Sequence, residues 1–171
     1  MRIKRYFLVL VALIAFTLQS FAQEGTTGIQ FFQGTFNEAL VKAKQENKVL
    51  FVDFYAVWCV PCKKMAKTVF TQEEVGKFFN EHFVSIQLDA EKGDNVNIAK
   101  NYKVVAYPTV AFISPDGKAI SVNTGAMNKD ELLDAAKIAA GQSMSFEALY
   151  EKYKADNNDL DVQQQLLLKA P

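Results

Sequence analysis

The stretch Val49-Leu50-Phe51-Val52-Asp53-Phe54-Tyr55-Ala56-Val57-Trp58-Cys59-Val60-Pro61-Cys62-Lys63 decides how the rest of this 171-residue chain is read. Its first seven residues are almost unbroken apolar, β-branched or aromatic side chains. That is the pattern of a strand covered on both faces, as at the centre of an α/β sheet. A single acid, Asp53, interrupts the run. After the strand, residues 63–70 read as a helix, so two cysteines separated by two residues fall where a strand ends and a helix begins.

That placement has a chemical consequence. The first turn of a helix leaves backbone N–H groups unpaired, and its aligned peptide dipoles put partial positive charge there. Both favour a thiolate at Cys59, and the thiolate is the form that attacks a disulfide. Cys62 comes one turn later and deeper, within reach to resolve the resulting mixed disulfide. Pro61 falls in the first turn, where its missing N–H costs little, and it stiffens the loop. Trp58 can shield the pair and offer an apolar contact surface. Two other readings stand beside this one. A zinc site needs two more Cys or His ligands, whereas the chain has only two cysteines and one histidine, His82. An inert structural disulfide between residues so close closes too small a loop to stabilise much.

Working outward, Ile29–Phe32 is a short apolar run suited to an edge strand. Thr35 can cap a helix through Gln45, with Glu38 as its capping-box partner, and Asn47-Lys48 ends it. On the other side, Thr71-Gln72-Glu73-Glu74 has the form of a second capping box, opening a helix to about Glu81. Phe83–Asp89 alternates apolar and polar from Val84 on, a strand signal. A short helix follows Gly93-Asp94-Asn95 through Tyr102, then a strand over Thr109–Ile113. Ser114-Pro115-Asp116-Gly117 is a turn, and residues 118–123 return as its antiparallel partner. Asn128 can cap a helix over Lys129–Ala140 that Gly141 stops. Ser143 or Ser145 starts another to about Lys154.

The resulting order, β-α-β-α-(α)-β-α-β-β-α, predicts an α/β fold, a central mixed sheet with helices on both faces. Beyond the polar break Asp156–Asp159, Leu160–Ala170 reads as a Gln/Leu-rich helix. Its Leu166, Leu167 and Leu168 either pack on the domain or belong to a longer helical extension.

Composition fits one domain with a short appendage. The chain is 50% hydrophobic and 22% charged, which excludes collagen-like, mucin-like and wholly disordered chains. Lys+Arg and Asp+Glu both number 19, so no basic excess is left to bind nucleic acid. The charge is unevenly spread, however. Residues 1–22 carry Arg2, Lys4 and Arg5 and no acid, then the apolar run Phe7–Phe16, then Ser20-Phe21-Ala22. That is the pattern of a secretory signal peptide cleaved after Ala22. An uncleaved membrane anchor is the alternative, although the run is shorter than the roughly 20 residues a span needs. Export puts the cysteines where disulfides persist. The expected division is a signal peptide over 1–22, a flexible leader over 23–28, a domain over 29–142 and a C-terminal helical extension over 143–171.

Val52-Asp53-Phe54-Tyr55-Ala56-Val57-Trp58-Cys59-Val60-Pro61-Cys62-Lys63 resembles the active-site segment of the thioredoxin superfamily, V-D-F-W-A-x-W-C-x-P-C-K. Ala106-Tyr107-Pro108-Thr109 resembles that family's second hallmark. The likeness covers roughly residues 29–140. With the extra helix near 72–81 and the leader, it is most similar to exported thiol:disulfide interchange proteins. It implies a thioredoxin fold with an extra helix after the active-site helix. It implies Cys59 as nucleophile, Cys62 as resolving thiol and Cys59–Cys62 as a redox-active disulfide. Asp53 matches a buried acid beneath the resolving cysteine, its pKa raised by desolvation so that it can accept the Cys62 proton. Pro108 matches a cis-proline facing the disulfide, and Tyr107 a residue whose backbone pairs with an extended substrate. From the residues alone, the alternative for Asp53 is an ordinary edge-facing polar residue, and Pro108 reads only as a proline at a strand start.

The family further implies protein disulfides as substrates, an upstream thiol as electron donor, a monomer, no cofactor and no metal. Export by the leader would place the protein in the periplasm if its source is a Gram-negative bacterium. Three positions depart from the family pattern: Val60 replaces a common glycine, Tyr55 a tryptophan, and Ser85 aligns with a lysine near the buried acid. Val60-Pro61 resembles the reducing branch, since strongly oxidising members usually hold a histidine there. Two competing functions are a binding module that uses the fold without chemistry and a thiol-based carrier of Cu(I). Elsewhere, His82 suits a helix end, Lys63, Lys64 and Lys67 a solvated helix face, and Asp89–Asp94 a loop rather than a Ca²⁺ site.

Overall fold

The computed structural model of the chain describes residues 27–142, 144 and 146–169. The expected signal peptide and its cleavage point, leader residues 23–26, and the expected helix start at Ser143 or Ser145 lie outside the described residues.

The first helix, α1 (Phe36–Glu46), begins as its sequence predicts. The Glu38 N–H donates to the Thr35 hydroxyl, and the Thr35 N–H donates to the Glu38 carboxylate at 2.8 Å. Asn47 ends it in the left-handed region, where its N–H closes on the Ala43 and Lys44 carbonyls. Then come β1 (Val49–Tyr55), α2 (Val60–Thr68), α3 (Glu73–His82), β2 (Phe83–Asp89), α4 (Asn95–Asn101), β3 (Thr109–Ile113), β4 (Ala119–Thr124) and α5 (Lys129–Ala139). A helical pair, α6 (Phe146–Ala155) and α7 (Leu160–Lys169), follows.

The sheet order is β2-β1-β3-β4, with β1 parallel to β2 and antiparallel to β3, and β3 antiparallel to β4. The mixed sheet flanked by helices is the thioredoxin fold. β1 lies inside the sheet, which is why its sequence is apolar on both faces. Leu50, Val52 and Phe54 pack with Phe36, Ala39 and Ala43 of α1 and Ala99 of α4. Phe51, on the opposite face, packs with Met65 of α2, Val75 and Phe79 of α3, and Leu132 and Ala136 of α5. Its ring meets Phe79 edge-on, centroids 4.7 Å apart. The alternation of β1 side chains thus builds two cores and leaves Asp53 on the face that carries α2.

Four details differ from the sequence expectations. Residues 29–32 form no strand: Phe31 makes a single bridge to Ser85, while the Ile29 N–H bonds the Phe70 carbonyl instead. Gly28, expected in the flexible leader, is packed. A Cβ there would come within 2.4 Å of the Phe70 carbonyl oxygen, and a Cβ on Gly76 within 2.3 Å of the Gly28 oxygen. The capping box at 71–74 is absent. Thr71 and Gln72 instead donate their side chains to the Lys67 and Thr68 carbonyls, closing α2 rather than opening α3. The two helices follow so closely that these side chains meet the orphan carbonyls of the first before the orphan amides of the second. Finally, β2 is buried from Phe83 to Ile86, and the alternation shows only at Gln87, which is exposed.

In the C-terminal pair, Leu149 and Val162 are fully buried, whereas Tyr150, Leu167 and Leu168 are exposed. Among the described residues, no helix is long and apolar enough to cross a membrane.

Candidate functional site at the Cys59–Cys62 disulfide

The end of β1 delivers the chain directly into α2. Ala90 donates its N–H to the Tyr55 carbonyl at 2.9 Å, and Cys59 donates its N–H to Ala56 at 3.0 Å, so the turn is held from both sides. Cys59 occupies the N-cap of α2, with extended backbone and Pro61 in the first turn. The helix begins at Val60, three residues before the start read from sequence. The cap is filled by sulfur: Cys59 Sγ accepts the N–H of Cys62 at 3.1 Å. The position usually taken by a Ser, Thr, Asp or Asn oxygen is here the atom that would carry the thiolate charge.

Cys59 and Cys62 are joined by a disulfide. Both are buried, at 1% and 5% exposure, in a small cluster with Ala56 against which Tyr55 and Tyr107 pack. Cys59, the expected nucleophile, is thus slightly less exposed than Cys62, which the sequence places deeper, because Cys59 is covered at the N-cap within this cluster. Trp58, next to it, is 63% exposed. Its indole N–H donates to Glu91 Oε2 at 2.9 Å, and its ring stands edge-on to Tyr107, centroids 6.0 Å apart.

The peptide bond Tyr107–Pro108 is cis. The loop before β3 is fixed by Thr109, whose hydroxyl donates to the Ala106 carbonyl, and by Gly125, whose N–H donates to the Pro108 carbonyl, both at 2.8 Å. Val105 and Ala106 are exposed, while Pro108 is buried. Burial pushes the Tyr107 phenol upward, helped by the carboxylates of Glu91 and Asp89.

Asp53 is 2% exposed. Its Oδ2 accepts Gln87 Nε2–H at 2.9 Å, and among the described residues Oδ1 has no hydrogen-bond partner. Desolvation pushes its carboxyl up to about 6, against the smaller opposing effect of the Gln87 bond. A buried acid poised near neutrality can exchange a proton at physiological pH. Ser85 is also buried with an unpartnered hydroxyl, but it pairs in register with Phe51, two residues before the acid. Gln87, not Ser85, stands opposite Asp53.

A groove of about 610 Å³ runs from Pro61 between α2 and the start of α5, past Lys64, Met65, Ala126, Met127 and Asn128. Lys63, Lys64 and Lys67 are exposed, as their spacing predicts. His82 sits at the end of α3, stacked on Phe78 and bonded to the Phe78 carbonyl and the Gln142 amide, well integrated as a helix-end residue.

This arrangement is suited to thiol–disulfide exchange. The family model of the thioredoxin-like domain matches residues 36–140. The chain belongs to the thioredoxin-like domain family. Thioredoxin H-type from Oryza sativa subsp. indica is 36% identical over 111 residues, which span 65% of this chain and 84% of that one. The solution structure of a proposed disulphide-isomerase from Bacteroides thetaiotaomicron superposes with a TM-score of 0.61 at 42% identity. The match covers 69% of this chain and 98% of that one. The thiol:disulfide interchange protein DsbD of Pseudomonas fluorescens is 34% identical over 80 residues, 46% of this chain. The chain spans only 14–16% of the length of such DsbD relatives.

Within this thioredoxin-like domain, two site residues escape sequence reading. Gln87 could have been found only from the parallel register of β1 and β2, which one sequence does not fix. Glu91 lies in the acidic loop after β2, where nothing distinguishes it from Asp89 or Asp94 until the fold brings it to Trp58.

Proposed function

We propose that the chain is an exported dithiol:disulfide oxidoreductase acting on protein disulfides. The observation that carries this is the sulfur-filled N-cap: Cys59 Sγ takes a backbone N–H of α2, one turn from Cys62. In the reduced protein the same N–H and the helix dipole favour the thiolate of Cys59. That thiolate attacks one sulfur of a substrate disulfide. The electron pair leaves on the second substrate sulfur, which takes a proton. Asp53 accepts the proton of Cys62, and the Cys62 sulfur attacks Cys59 Sγ. The substrate's first sulfur departs as a thiol, and the protein is left with the Cys59–Cys62 disulfide. An upstream dithiol returns the protein to its reduced form by the same exchange.

An extended substrate segment lies along the exposed backbone before Pro108, with Tyr107 as its pairing residue, and Trp58 supplies apolar contact. The groove beside Pro61 receives the side chains that follow. Val60-Pro61, without a histidine between the cysteines, favours the reducing direction. Export is supported by the basic, apolar and small-residue order of residues 1–22. The boundaries proposed are a leader removed after Ala22, a domain through residue 142 and a helical extension after it.

The test is insulin reduction with Cys59→Ser and Cys62→Ser. Cys59→Ser abolishes turnover, whereas Cys62→Ser accumulates mixed disulfides that a gel resolves. Full activity in Cys59→Ser would overturn the proposal. Equilibration with glutathione gives the direction: a potential near or below about −220 mV fits a reductant and one near −120 mV an oxidant.

A further inference from the structure

The residue proposed to react first is among the least exposed of this site. Cys59 is 1% exposed, while its neighbour Trp58, the largest side chain of the site, is 63% exposed and yet held in place. Two contacts hold it. The indole N–H donates to Glu91 Oε2 at 2.9 Å, and the indole edge meets the Tyr107 ring, which itself packs on the Ala56, Cys59 and Cys62 cluster. Glu91 is in turn steadied by its own N–H, which donates to the Asp89 carboxylate at 3.2 Å. The chain of contacts runs from the loop after β2 through Trp58 to Tyr107, the residue before Pro108, which packs on the cysteine cluster.

We propose that Glu91 is a positioning residue that controls access to the Cys59 sulfur by latching Trp58 against Tyr107. A thiolate that attacks Cys59 must approach along the S–S axis from the side opposite Cys62, and Cys59 is only 1% exposed while the brace is closed. Release of the Glu91 bond lets the indole swing outward and Tyr107 relax. A substrate whose apolar surface takes up the indole replaces the latch and opens the site, so the device selects protein partners over small thiols. The carboxylate is suited to this, because its bond to an exposed indole is strong enough to order the ring and weak enough to exchange.

This rests on the oxidoreductase reading, but chemical reduction of the Cys59–Cys62 bond tests it separately. Dithiothreitol reduces the bond whether or not proteins are natural substrates. One of its thiolates bonds to Cys59 Sγ, the pair leaves on Cys62, and its second thiol closes the reagent's ring and frees Cys59. Trp58 is the one tryptophan of the chain, so fluorescence follows this ring alone. Acid-quenched maleimide labelling follows the same reaction in variants without it.

Glu91→Ala is expected to speed reduction of the oxidised full chain about two- to tenfold, the factor set by one hydrogen bond. Glu91→Gln keeps an acceptor for the indole and restores a rate near that of the parent. In a Trp58→Phe background, which removes the N–H, Glu91→Ala has no further effect. Unchanged kinetics in Glu91→Ala would overturn the proposal. So would equal acceleration in Glu91→Gln, which would make the charge rather than the hydrogen bond the cause. Persistence of the Glu91→Ala effect without the indole would overturn it as well, because the carboxylate would then act directly on the incoming thiolate.

Discussion

Asp53 offers the sharpest test of how burial shapes this site. Its carboxyl ionises near 3.9 in an unfolded chain and is pushed up to about 6 in the fold, chiefly by desolvation. Between those values the folded protein holds a proton that the unfolded chain has released. Stability due to this group is therefore intact below about pH 4 and is lost as pH rises through 6. A shift of about two units corresponds to about 3 kcal/mol lost by pH 8. Asp53→Asn removes the titration and keeps the shape. Its amide also carries a fixed cost, since the atom replacing the unpartnered Oδ1 has no hydrogen-bond partner, but that cost does not vary with pH. The comparison to make is guanidinium unfolding of the oxidised protein and its variant at pH 4, 6 and 8. The variant should gain on the parent by about 2–3 kcal/mol between the extremes, with most of the change falling between pH 4 and pH 6. A difference in stability that stays flat across this range would refute the reasoning, because Asp53 would then titrate as if solvated. The same substitution should slow resolution of the mixed disulfide by about 100-fold or more at neutral pH, the usual contribution of a positioned base, as read by quenched-flow labelling.

Other outcomes follow from single contacts. Gln87→Leu removes the one hydrogen bond to Asp53, so the pH window should move upward, whereas Gln87→Lys should move it downward. NMR titration of the Asp53 carboxyl reads the two signs, and shifts in the same direction would contradict the pairing. Gly76→Ala drives a methyl group to 2.3 Å from the Gly28 oxygen and should cost about 1–3 kcal/mol, seen as a lower Tm. Phe51→Ala empties the centre of the α2–α3–α5 core and should cost about 3–5 kcal/mol in denaturant unfolding. Mass spectrometry of the exported protein should find Gln23 as its first residue, and an intact Met1 would contradict cleavage after Ala22.

Much of this fold can be read along the chain because local and tertiary signals agree. The apolar run Val49–Tyr55 predicts an interior strand, and β1 is interior. Thr35 with Glu38 is a capping box in sequence and in space, and Asn128 caps its helix as read, with Glu131 completing a box that appears only in the structure. Thr71–Glu74 shows the limit of such signals. The same side chains can serve the end of one helix or the start of the next, and only the short α2–α3 connection decides. Residues 29–32 show another limit. Their apolar character reflects docking of Phe31 against Phe51 and Phe70, which needs no ladder. At the site, Cys59, Cys62 and Pro108 stand out because they are rare residues at fixed spacing. Gln87 and Glu91 are ordinary residues made special by register and by a loop crossing, and neither leaves a trace in one sequence. The burial of Cys59 is likewise invisible until Tyr107 and Trp58 are brought together from residues far apart in the chain.

The proposed chemistry depends on a helix N-terminus that makes the sulfur of Cys59 acidic. The direct measurement is the pH dependence of iodoacetamide alkylation in the reduced protein, with the modified residue identified by mass spectrometry. Reaction is expected at Cys59 first, with a midpoint at least one unit below the value of about 8.5 for a free cysteine. A midpoint at or above 8.5, or first reaction at Cys62, would contradict it.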